Sequence, residues 1–145
     1  MEMIKKYGPV VLTIYIAFVF IQSLFFKFSG AAPEPAHIFS TLNQWAESSF
    51  GVSGLFANNG IFGKYSVGIA ELIASLMLLI GMFTKFKSLH FLGALLALAI
   101  ISGAIFFHLF TPLGIEVMGD GGTLFAMAVG VWISAFILLV FRRKN

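Results

Sequence analysis

The chain has 145 residues, 59% of them hydrophobic and 10% charged, with a net charge of +3. Soluble domains average about 25% charged residues. That deficit, with a mean hydropathy of +0.99, excludes an ordinary water-soluble domain and puts the chain in the membrane class. The absence of cysteine excludes disulfides, thiolate metal sites and CxxC redox chemistry, and no basic face suggests nucleic acid.

Met1 to Gly8 is a short head carrying Lys5 and Lys6. The first span follows over about 9–27. Ser29-Gly30-Ala31 resembles a signal-peptide cleavage site, but the apolar run exceeds the ~7–15 residues of a signal h-region, so a retained helix is expected. Lys27 to Gly63 is the longest connection. Pro33-Glu34-Pro35 interrupts helix there. From His37 to Ser48 the residues Ile38, Leu42 and Trp45 recur on one side. This predicts a short amphipathic helix lying on the membrane surface or capping the bundle. Gly51, Gly54, Asn58-Asn59-Gly60 and Gly63 mark a glycine-rich return.

The second span is 64–83, about the 20 residues needed to cross a ~30 Å hydrocarbon core. It contains one carboxylate, Glu71. Thr84-Lys85-Phe86-Lys87 ends it, and Ser88 opens a third span over 88–110. Thr111-Pro112-Leu113-Gly114 stops the third, and Asp120 is placed to cap a fourth over 121–141, which ends before Arg142-Arg143-Lys144.

Four spans put both termini on one side. That side would hold Lys5, Lys6, Lys85, Lys87, Arg142, Arg143 and Lys144; the other holds Lys27 and Lys64. The positive-inside rule then predicts an N-in, C-in orientation with the long loop external. The expected fold is an all-α polytopic membrane protein, one domain over 1–145, built as an antiparallel four-transmembrane-helix bundle. Small residues recur as Gly122, Ala126, Gly130 and Ser134 on span four, and Gly68 and Ser75 share a side with Glu71 on span two. Such rows allow close helix approach in lipid. The span-four row is a candidate surface for homo-oligomerisation.

A charge inside a span costs at least ~2.5 kcal/mol, so Glu71 should face protein or water with a partner. Topology puts it about six residues, ~9 Å, below the external boundary. Gln22, Lys27 and His108 fall in the same half, and Trp45 lies in the external loop helix. These five residues are the candidate ligand-binding set, with Lys27 the simplest ion-pair partner for Glu71. His90 and His108 share a face of span three, but no other span offers a histidine for a haem. His90, at the inner boundary, is expected to meet solvent or headgroups. A metal held by His108, Glu116 and Asp120 is the weaker alternative, and no metal site is assigned.

Three stretches resemble the DoxX-like family of small membrane proteins. They are Phe25-Phe26-Lys27-Phe28, the run from Gly68 through Glu71 to Gly81, and Phe106-Phe107-His108-Leu109-Phe110-Thr111-Pro112. The similarity covers about residues 10–140, while the loop after Gly51 and the end of span four match only in general character. The resemblance implies a four-helix, multi-pass protein of the cell inner (plasma) membrane, with Lys27, Glu71 and His108 at matching positions. It also implies a link to quinone-dependent oxidation, including that of thiosulfate, or to membrane redox complexes. Without cysteine or a haem site, a redox role would use a quinone or a partner's cofactor. The leading expectation is an accessory subunit that binds a quinone-like or lipid-like molecule in an outward-facing polar pocket or supports a redox partner. A catalytic quinone-linked oxidoreductase subunit is the alternative, and a small transporter or assembly factor the third.

Overall fold

The computed structural model describes residues 2–83 and 86–144. Thr84 and Lys85, which the sequence places in the turn between spans two and three, lie outside the described residues, as do Met1, Asn145 and the side chain of Lys144. The described residues form five helices and no strand. They are α1 (Glu2–Ser29), α2 (Glu34–Phe50), α3 (Lys64–Phe83), α4 (Lys87–Phe110) and α5 (Thr123–Lys144). All but α2 are long and apolar enough to cross a membrane. In those four, only 28–33% of the apolar window is buried within the protein. Large side chains such as Ile14, Phe18, Leu95 and Phe136 are exposed instead, as expected of surfaces solvated by lipid.

Two helix starts differ from the sequence expectation. The first helix begins at Glu2 and runs through Pro9. A proline inside a helix removes one bond to the carbonyl four residues earlier. Here that residue is the exposed Lys5, and Glu2 favours the helix N-terminus electrostatically. The second helix begins at Glu34 rather than near His37, with a proline in its first turn, where the missing N–H would be unpaired anyway. It ends at Gly51, whose left-handed φ of 68° lets its N–H reach the Glu47 carbonyl at 2.9 Å.

The four long helices pack as a ring. Helix α3 lies on α4, α4 on α5, and α1 on both α3 and α5. Their shared core includes Ile16, Phe20, Leu78, Ala97, Val131 and Leu138. Small residues set the spacing. A Cβ on Gly81 of α3 would come 2.5 Å from the backbone nitrogen of His90 on α4, so only glycine permits that approach. Gly130 of α5 faces the hydroxyl end of Tyr15 on α1, and Tyr15 donates to the Met127 carbonyl at 3.0 Å. Gly130 and the buried Ser134 are thus taken up by packing within the chain, whereas Ala126 of the same row is exposed.

A second, smaller core lies apart from the first. Leu42 and Ala46 of α2 pack with Phe56, Leu113 and Val117, and Trp45 and Phe107 border them. Helix α2 therefore forms a cap with the 51–63 and 111–122 connections.

Candidate functional site

Glu71 sits in the second turn of α3, and Lys27 in the last turn of α1. The two close on each other: Lys27 Nζ donates to Glu71 Oε1 at 2.6 Å. Both residues are buried, with exposures of 9% for Lys27 and 5% for Glu71. Lys27 also donates to the Ser23 hydroxyl, one turn earlier on α1. Gly68 leaves room for the pair, since a Cβ there would meet Phe28 at 3.0 Å and the Lys27 stem at 3.7 Å. Phe28 stacks on Tyr65, with centroids 5.4 Å apart. Paired charges of this kind stay ionised in an apolar setting only while each compensates the other.

The remaining sequence candidates make their contacts with other residues. His108 is buried, donates from Nδ1 to the Gly114 carbonyl at 2.7 Å, and meets the Phe125 ring edge-on at 5.6 Å. It thus anchors the α4–α5 connection. Trp45 belongs to the cap, edge-on to Phe50 and Phe107. Gln22 is half-buried, and its Oε1 is shielded with no hydrogen-bond partner. Asp120 caps α5: Oδ2 accepts from the Leu124 N–H at 3.1 Å, and Oδ1 accepts from Val117 and Gly122. Partial burial pushes its carboxyl up, but those three N–H groups and the nearby His108 together hold it below its ordinary value. Among the described residues, no three His, Asp or Glu side chains gather as a metal site would require.

A comparison with family models, curated proteins and solved structures finds no match.

Beside the cap, a cavity of about 370 Å³ opens between α2 and the 51–63 connection. Phe39, Ser40, Asn43, Phe56, Asn58 and Lys64 line it. Asn43 Oδ1 is buried with no hydrogen-bond partner, and a shielded acceptor of this kind costs ~1–3 kcal/mol until a donor reaches it. Lys64 lies seven residues before Glu71, so both occupy the same side of α3, two turns apart. The sequence places Asn43 on the external loop helix and Lys64 at the start of span two, but the hollow between them arises only from packing.

The opposite end of the bundle holds a cluster that sequence reading missed. His90 is fully buried rather than meeting solvent or headgroups. Arg142 Nε donates to His90 Nδ1 at 3.0 Å, so the ring proton lies on Nε2, which donates to the Thr13 hydroxyl at 2.9 Å. Gly81 causes the difference, because its close approach to His90 seals that face of α4. Ser75, one turn beyond Glu71 on α3, is also fully buried, with its hydroxyl unpaired.

Proposed function

We propose that the chain is a DoxX-like integral membrane protein and an accessory subunit. It would bind a quinone-like or lipid-like head group at the α2 end of its bundle, in support of a membrane redox complex. The observation that carries this reading is the Lys27–Glu71 ion pair buried between two membrane-length helices. Ionisable groups inside membrane spans are costly and as a rule serve a function. The cavity beside α2 supplies space. Lys64, Ser40 and Asn43 offer it an ammonium, a hydroxyl and an amide. An unpaired amide oxygen favours a ligand that brings its own O–H, such as the hydroxyl of a reduced quinone.

In this reading the four long helices run antiparallel across the cell inner membrane, with both termini cytoplasmic and α2 outside. The positive-inside rule supports the orientation. Several close pairs support the antiparallel arrangement, since the end of one helix meets the start of another at Lys27–Glu71, at Gly81–His90 and at Arg142–His90. The whole chain then acts as one domain.

The test is a titration of the purified protein in nanodiscs with a short-tailed quinol, read by tryptophan emission and thermal stability. Binding should shift Trp45 emission and raise the melting temperature. Asn43→Leu should abolish both effects while leaving the unliganded melting temperature at or above that of the wild type, because the unpaired acceptor is gone. No response from the wild-type protein to either quinol or quinone would overturn the ligand assignment.

A further inference from the structure

At the end bearing both termini, a groove of about 580 Å³ runs between the start of α1 and the end of α5. Its walls are apolar and include Ile4, Tyr7, Val11, Ile137 and Phe141. Ile4 and Val11 are 68% and 62% exposed, so hydrocarbon rather than protein is their natural cover. Cations lie close to the groove: Lys5 is among its lining residues, and Lys6 and Arg143 are exposed close by in sequence. The Arg142 guanidinium lies 5.7 Å from the centroid of the Phe141 ring, itself part of the wall.

Arg142 is held in place. Its Nε is committed to His90, which is fixed in turn by Thr13. A guanidinium anchored through Nε presents its planar fork on the other edge, the geometry that suits phosphate oxygens. An apolar trough with a lysine in its lining and an anchored guanidinium against its Phe141 wall complements one kind of molecule, a hydrocarbon chain ending in an anionic phosphate.

We propose that the α1–α5 groove is a specific site for an anionic phospholipid, its acyl chain in the trough and its phosphate on Arg142 and Lys5. Thr13 and His90 are positioning residues that aim Arg142. The inference rests on the helices crossing a bilayer but is independent of the quinone reading, which concerns the other end of the bundle.

The experiment compares phosphatidylglycerol with phosphatidylcholine by native mass spectrometry and thermal shift on the detergent-purified chain. Phosphatidylglycerol should be retained with roughly a five- to thirtyfold preference, the weight of one to two cations at an anionic surface. Arg142→Gln should lose most of that preference, and Thr13→Val part of it. Lys64→Gln, at the far end, should keep it. Free glycerol phosphate should not compete, because it lacks the chain. Equal retention of the two lipids by the wild-type protein would overturn the proposal, whether or not any variant folds. So would equal loss in Lys64→Gln, which would reveal a diffuse charge effect. A dimer that dissociates only on Arg142→Gln, with no lipid retained, would assign the groove to a second copy and also overturn it. If quinol fails to bind but the lipid preference stands, only the function proposed above falls.

Discussion

Gly81 and His90 touch backbone to backbone: no side chain fits between α3 and α4 at that point, because a Cβ on Gly81 would sit 2.5 Å from the His90 nitrogen and 2.7 Å from its Cα. Neither atom can rotate away. Gly81→Ala should therefore force the helices apart and destabilise the bundle by about 1–3 kcal/mol, the usual cost of overpacking. Gly103→Ala is the control, since nothing lies within 4 Å of the added carbon there. It should be neutral or stabilising by up to about 1 kcal/mol through helix propensity. Thermal unfolding of both variants in one detergent checks this, and equal melting temperatures would refute it.

The ion pair makes a second prediction. Lys27→Met leaves the Glu71 carboxylate buried without its cation, which typically costs about 3–5 kcal/mol. Removing both charges in Lys27→Met/Glu71→Leu should recover much of that loss, because no stranded charge remains. A double variant as unstable as the single one would show that the pair contributes far more than charge compensation.

Asp120 gives the expected pH dependence. Its carboxyl is held below the ordinary value of 3.8 in the folded chain. A group with a depressed folded pKa adds stability above its unfolded pKa, and that addition is lost as pH falls through the folded value. Asp120→Ala should cost about 1 kcal/mol at neutral pH by uncapping α5. The gap between variant and wild type should then narrow as melting curves are taken from about pH 6 to about pH 3. A gap that does not change over that range would argue against the carboxylate as the cap.

Orientation is tested with reporters. A fusion after Asn145 should be active only with a cytoplasmic reporter, and one inserted near Asn58 only with an external reporter. The opposite pattern would reverse the sidedness derived from the lysine and arginine distribution.

The number of long apolar helices and the approximate place of each were legible because span length and hydrophobicity are properties of contiguous sequence, whereas the start of α1 at Glu2 was not. The Lys27–Glu71 pair was legible for a related reason. A carboxylate inside a span demands a partner, and counting residues from each boundary left three candidates. Capping by Asp120 was legible from its place ahead of α5. Sequence alone could not show that His90 is sealed inside. Its partners Thr13 and Arg142 are 77 and 52 residues away, and its burial depends on a glycine in another helix. The cavity beside Asn43 was hidden likewise, because a hollow between a helix and a glycine-rich connection is a property of tertiary packing.

The cap imposes an order on assembly. Leu42, Ala46 and Phe56 leave the ribosome early, but Leu113 and Val117, which complete their cluster, lie beyond α3 and α4. Until those two helices have been made, the cluster that α2 closes against is incomplete. In a nascent chain its apolar side must rest on something else, and the bilayer interface is the nearest apolar phase. Helix α2 would thus begin as a raft on the membrane and end as a lid on the protein, seated only after α4 has been made.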